Sequence, residues 1–381
     1  MAYSTAHYWI FLFAFLMLSC GNAGESNRII HPTEENLNPE FGITNVIDMR
    51  DTLISDHAAV PDILNRVRNS KILFTIGKEE GEEFEMFGQI SDVHIDENSN
   101  IFISDSQDTG IYIYDSNGFH LQTFGRKGRG PGELVNADRI ITSSRKLLAL
   151  DLFFDLKSYR FESGEYSYDS TLETGLIPSS FCISGDELFL QSMPIGEQLL
   201  TERPNSITVF RIENYETALR SFGSYYQSES LLAVQSMSAG AIACGQKSDQ
   251  IFHYKRLLNL VYSYDKSGEI SWITRLDNFQ FMRILETPDR IGGDPNHLQE
   301  EFDLIKNLIV LNSDYLLVQV ENRKLNGGEN QKITLHSYLL DNNNGSGVYI
   351  GDNLPPILAA TENRLAFLKE YDYPHIRIAE F

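Results

Sequence analysis

The chain has 381 residues, 42% hydrophobic and 22% charged, the balance of an ordinary globular protein, which excludes a disordered chain, a collagen-like fibre and a polytopic membrane protein. Its formal net charge is −22, with acids spread along the whole length. No basic face is left to neutralise phosphates, so nucleic acid is not expected as a partner. From the amino terminus, residues 1–20 contain no Asp, Glu, Lys or Arg, and the apolar run 8–18 matches a signal-peptide core. It is too short to span a bilayer as an anchor.

That run ends in Met17-Leu18-Ser19-Cys20-Gly21, a small residue followed by a cysteine. The pattern resembles the lipobox of bacterial lipoproteins. The resemblance implies cleavage before Cys20, a lipid on its sulfur and an acylated new amino terminus, enough acyl chains for stable anchoring. It implies residues 1–19 as the signal peptide and the membrane as a partner through the anchor. No Asp follows Cys20, which by resemblance to the sorting rule of enteric bacteria favours the outer membrane. Residues 20–45 are polar and aperiodic, as a tether between membrane and domain should be.

From residue 71 onward short alternating runs of Ile, Val, Tyr and Phe are broken by Asp, Asn, Ser and Gly, the mark of strands. Residues 90–125 hold four of them, enough for one antiparallel sheet or one propeller blade. The third strand ends in an acid that opens the next turn, and this marker recurs at Asp115, Glu162, Glu213, Asp265, Asp341 and Glu380. The spacings are 47, 51, 52, 76 and 39. The long one contains an insertion near 278–303, and without it the period is about 48, which gives six units over 71–381. The last unit lacks a fourth strand, because the chain stops at Phe381. Residues 71–77 resemble the strand and glycine of 118–125, so they supply it and close a ring with no free edge. The predicted fold is therefore all-β: a six-bladed β-propeller over 46–381, its repeats starting near 71, closed by an N-terminal strand in the C-terminal blade.

The run Gly125-Arg126-Lys127-Gly128-Arg129-Gly130-Pro131-Gly132-Glu133-Leu134 follows a fourth strand. With the lipobox it resembles the six-bladed β-propeller lipoproteins of Bacteroidota-type bacteria, relatives of the NHL-repeat propellers. The resemblance settles architecture and leaves chemistry open. As a phosphate loop the run fails, lacking the Lys-Ser/Thr ending and a following helix, so its glycines are expected to shape a crossover between blades. Arg126, Lys127 and Arg129 form a basic patch expected to pair with neighbouring acids rather than bind an anion. The histidines (among them His94, on an innermost strand) show no ligand spacing, and Asp105-Ser106-Gln107-Asp108 is no calcium loop. There is no Gly-x-Ser-x-Gly elbow. Tyr112, Tyr114, Tyr262 and Tyr264 alternate along third strands and are expected to pack between blades. Cys182 and Cys244 read as small buried hydrophobes, with a disulfide between them the open alternative. No catalytic, cofactor-binding or metal-ligating residue is assigned. Cys20 is the one site residue, for lipid attachment.

Three excursions, 191–206, 278–303 and 321–332, follow strand positions that open on one face of a propeller. Within 294–308, Asp294 as cap, Pro295 in the first turn and Leu298, Phe302 and Ile305 on one stripe predict a short amphipathic helical insertion. The expected role is a cell-envelope binding or scaffold module that takes a peptide, glycan or partner protein on this looped face. The alternative is a propeller-type hydrolase or lyase acting on an extracellular small molecule or glycan, which would need His, Asp and Glu clustered at the channel mouth.

Overall fold

Mainly apolar runs such as Ile101–Asp105 and Gly110–Tyr114 form strands with every residue buried, whereas the neighbouring His120–Phe124 alternates half-buried and exposed. The difference is position: middle strands are covered on both faces, and the outermost strand is half solvated. In the computed structural model, which describes residues 28–30, 42–48, 60–108, 110–143, 145–151, 155–193, 205–245, 249–282, 284–287, 290–293, 301–324, 332–370 and 372–381, this unit occurs six times. Blade 1 is Ile90–Ile95, Ile101–Asp105, Gly110–Tyr114 and His120–Phe124, and blade 2 is Ala137–Ser143, Lys146–Asp151, Leu156–Glu162 and Glu165–Leu172. Blade 3 is Ile177–Ser184, Glu187–Met193, Asn205–Arg211 and Arg220–Ser224, and blade 4 is Gly240–Cys244, Gln250–Lys255, Leu260–Asp265 and Ile270–Asp277. Blade 5 comprises Glu301–Val310, Tyr315–Lys324, Lys332–Asp341 and Gly347–Gly351. Blade 6 takes Ile357–Ala360, Arg364–Lys369 and His375–Glu380 from the carboxyl end and Lys71–Ile76 from the other.

The closing strand pairs antiparallel with the last one, Ile76 opposite Ile376 and Phe74 opposite Ile378. First strands touch first strands around the whole ring, and one apolar cluster fills each of the six seams between blades. Tyr112 and Tyr114 pack in the seam of blades 6 and 1, Tyr262 and Tyr264 in that of blades 3 and 4, as their alternation predicts. The recurring acid earns its place in the turns: Asp115 Oδ1 accepts from the amides of Asn117 and Phe119 at 2.9 and 2.8 Å. Asp265 does the same for Gly268 and Glu269, both at 3.0 Å. The glycines of these turns, Gly118 and Gly268, have φ of +86° and +96°.

Among the described residues, three elements that precede the first strand of the ring go beyond the repeat. Helix Val60–Arg68 places Ile63, Leu64 and Val67 in the seam of blades 5 and 6. Its Arg66 Nη2 donates to the Phe381 carbonyl at 3.1 Å, bracing the chain end. Strand Asn45–Asp48 adds a fifth, parallel strand to blade 4, burying Ile47. Arg28–Ile30, inside the stretch expected as tether, pairs with Ile284–Thr287, which forms a hairpin with Arg290–Gly293.

The insertion corrects one expectation. The helical insertion is not formed over 301–308: Glu301–Val310 is the first strand of blade 5. A bulge between Ile305 and Asn307 re-phases its alternation. Phe302 and Leu304 face the seam of blades 3 and 4, while Ile305, Leu308 and Val310 face that of blades 4 and 5. Two strand phases joined by a bulge thus imitate a 3.6-residue stripe. Residues 294–300, with Asp294, Pro295 and Leu298, lie outside the described residues.

Candidate functional site

In an antiparallel blade the crossover from a fourth strand to the next first strand opens on the same face as the loop between second and third strands. The longest connections lie there. Blade 3 leads to blade 4 through helix Leu231–Ser238, whose Ser230 cap accepts from the Ala233 amide at 3.2 Å. Blade 4 leads to blade 5 through the 284–293 hairpin. In blade 5 the second and third strands run for ten residues each and carry the sheet outward to the loop 325–331, itself outside the described residues. Of the expected excursion 321–332, residues 321–324 and 332 are therefore strand. Of 191–206, residues 194–204 lie outside the described residues and the rest belong to strands of blade 3.

Buried polar groups at the ends of second strands hold these crossovers. Asp105 is fully buried and accepts the amides of Gly88, Gln89, Gln107 and Asp108 at 2.7, 3.2, 2.8 and 2.9 Å. Asp151 accepts those of Val135 and Asn136 and pairs with the buried Lys157 at 2.9 Å. In blade 5 the neutral Gln319, midway along the lengthened second strand, accepts from the Ile357 amide at 2.9 Å. Each replaces the water that a buried loop amide would otherwise lose.

The glycine-rich run is such a crossover. Glu133 folds back on the Gly130 amide at 2.8 Å and pairs with Arg126 at 2.8 Å, so Arg126 of the basic patch meets an acid as expected. Gly125 and Gly132 have φ of +80° and +73°. A Cβ on Gly125 would stand 2.4 Å from the Leu134 side chain, one on Gly128 2.0 Å from Glu133. The glycines are there for close approach within the loop.

At the mouth of the channel on this face, charges from three blades converge. Asp92 begins blade 1, Asp138 and Arg139 begin blade 2, and Arg256 follows the second strand of blade 4. Asp92 Oδ2 accepts from the Ile140 amide at 2.9 Å, stitching blade 1 to blade 2. Arg139 Nη2 donates to the Ile242 carbonyl at 3.3 Å, reaching past blade 3 to blade 4. Burial raises Asp92 to about 6, against the pull of Arg139 and with repulsion from Asp138. Asp138 is raised by burial too, opposed by Arg256 and Arg139. Below the mouth, burial and Arg139 push His94 down to about 4, so it is a neutral imidazole sharing a hydrogen bond with Thr142 at 2.9 Å. His31, His57 and His297 lie outside the described residues, and among those described no three His, Cys, Asp or Glu gather in a metal-binding group.

The opposite face differs. A depression of about 480 Å³ there is lined by Asp186, Glu187, Arg220, Lys266 and Ser267. Its charges are already paired: Arg220 grips Glu187 with two bonds of 2.7 Å, Lys266 pairs with Asp249 at 2.7 Å and Asp186 with Arg211 at 2.9 Å. Cys182 and Cys244 settle the open alternative. They form a disulfide between the inner strands of blades 3 and 4, their Cα atoms 5.6 Å apart. Cys20 lies outside the described residues.

No curated protein matches the sequence. Among solved structures, an exported-protein candidate of Bacteroides fragilis aligns over 89% of this chain and 99% of its own, with a TM-score of 0.57 at 11% identity. A DUF4221-family protein of Bacteroides vulgatus aligns over 82% and 97%, with a TM-score of 0.51 at 10% identity. At such identities the likeness is one of fold. The family model described as a 6-bladed β-propeller matches residues 80–278, blades 1 to 4 of the ring. The chain belongs to this DUF5128 family of six-bladed β-propellers.

Proposed function

We propose that the chain is an exported cell-envelope lipoprotein whose propeller is a binding or scaffold module, meeting a peptide, glycan or partner protein on its long-loop face. The observation that carries this reading is the asymmetry of the ring. Helix, hairpin and elongated strands gather on one face, while on the other the charges of the described depression are paired. Loops on a rigid scaffold are where such proteins carry function.

Export is supported by the Cys182–Cys244 disulfide, which persists in oxidising compartments, and by the leader. In this reading residues 1–19 are removed, Cys20 carries the lipid in the outer membrane, and 20–45 lead from the lipid to the ring. Labelling with a fatty acid tests the anchor: Cys20→Ala should lose all label, and equal label on both proteins would refute it. For the face, 285–292 is replaced by a two-residue turn that leaves the buried Ile284 in place. Partners captured from native envelopes should be lost with melting unchanged. Unchanged partners would assign the hairpin to structure instead.

A further inference from the structure

The chain between the proposed anchor and the ring is held at two places, toward opposite faces. The first hold is Arg28–Ile30, which pairs antiparallel with Ile284–Thr287, Arg28 opposite Glu286 and Ile30 opposite Ile284. It extends the crossover hairpin into a three-stranded sheet. That sheet belongs to the long-loop face: the hairpin lies between the fourth strand of blade 4 and the first of blade 5, against helix Leu231–Ser238 of the preceding crossover. The second hold starts toward the other face. The Thr44 amide donates to the Ile273 carbonyl at 2.9 Å. Asn45 Nδ2 donates at 2.6 Å to the Asn344 carbonyl, in the turn after the third strand of blade 5. Turns after third strands open on the short-turn face.

The order of these holds decides which way the ring hangs. From Cys20 to Arg28 is eight residue steps, a reach of at most about 29 Å whatever path the chain takes. To Thr44 it is 24 steps, about 86 Å, enough for either face. The ten-residue strands of blade 5 are about 33 Å long, so a lipid tied to the hairpin by 29 Å of chain cannot pass the ring to the short-turn side. A gap of that size also selects the partner. A folded domain of 100 residues has a radius of gyration of about 13 Å, hence a width of roughly 34 Å. It does not fit under the hairpin, whereas loops standing out of the bilayer do. The lipid surface itself is a poor occupant, because anionic headgroups repel a chain of net charge −22. Resting on the anchor at Cys20 and the long-loop reading above, we propose that the long-loop face is turned toward the bilayer that holds the lipid and meets there a protein embedded in that same bilayer.

The test uses the acylated full chain in phospholipid vesicles with an energy acceptor on the headgroups. A donor dye is attached through Lys324→Cys on the long-loop face or Asn117→Cys on the other, Cys20 being acylated and Cys182 bridged to Cys244. Transfer from 324 should exceed that from 117 about two-fold or more, since the faces lie roughly 33 Å apart. Ile29→Pro breaks the first hold and passes it to Thr44. An insert of about sixteen Gly/Ser residues after Gly21 lengthens the reach equally and leaves the pairing alone. Each should erase the difference, and neither touches the ring. Equal transfer from both positions, more from 117, or a difference that survives both variants would overturn the orientation. Protein with no fatty acid on Cys20 would bring down the anchor and the orientation together, whereas equal transfer from acylated protein brings down the orientation alone. For the partner, a cleavable crosslinker at 324 is reacted in native envelopes and split, and the membranes are washed at alkaline pH. The released partner should stay in the bilayer, and a partner found in the wash would contradict the proposal. Absence of any crosslink from 324 would sink the long-loop reading itself.

Discussion

Replacing Cys182 and Cys244 by alanine removes the covalent link between the inner strands of blades 3 and 4. The bridge spans a sequence separation of 62, so in the unfolded chain it closes a loop holding the remainder of blade 3 and its helical crossover. On the chain-entropy account a loop of that length is worth about 4 kcal/mol at 25 °C. The ring closes on itself and should melt largely as a unit, with an unfolding entropy of about 0.65 kcal/mol/K for roughly 310 residues. The double variant should then melt about 6 °C lower. A chain lacking residues 1–20 removes the third cysteine from the comparison. Calorimetry with and without a reductant is the assay: reduction should bring the parent down to the variant and leave the variant unmoved. Free thiols at both positions in protein from an oxidising compartment would refute the reasoning, as would identical melting of parent and variant.

The remaining predictions concern the mouth and the closure. Asp92 has its carboxyl raised from 3.8 to about 6, so between these values the folded chain holds a proton that the unfolded chain has lost. Stability from this group is therefore full below about pH 4 and declines as pH rises through about 6. Asp92→Asn keeps an acceptor for the Ile140 amide and removes the charge. It should gain about 1–2 kcal/mol near pH 7.5 in thermal melts and nothing near pH 4, after allowance for solvent at the half-exposed mouth; a loss near pH 7.5 would contradict the raised carboxyl. Closure by Lys71–Ile76 predicts unequal costs along one strand. Ile76→Ala, in the seam of blades 6 and 1, should cost about 2–4 kcal/mol in denaturant titration. Ile72→Ala, at a side chain 44% exposed, should cost about 0.5 kcal/mol or less. Equal effects would remove Ile76 from the core.

The blades are legible because in three of them the turn acid does local chemical work: Asp115, Asp265 and Asp341 each hold turn amides. Closure was legible because a strand was missing at one end and present at the other. What escaped has physical causes. Asn45–Asp48 is too short for periodicity, and its partner is a strand edge far along the chain. Helix Val60–Arg68 leaves a signal, Ile63, Leu64 and Val67 on one stripe, but it is a single short turn-and-a-half of apolar spacing beside far stronger strand patterns. The bulge at Ile305 turned a strand into the likeness of a helix. Asp92, Asp138, Arg139 and Arg256 share no spacing, and only the ring brings them together. The available hint was a pair of charges, Asp138-Arg139, opening a strand that the repeat places against the channel.

The central claim is that this propeller works through its long-loop face. A photoreactive side chain at Lys324, on the extended hairpin of blade 5, samples that face, and one at Asn117, in the turn after the third strand of blade 1, samples the other. Both positions are exposed, so neither substitution should disturb the ring. Irradiation in native envelopes should yield discrete crosslinked species from position 324 and none from position 117. Crosslinks from 117 alone, or equally from both, would contradict it.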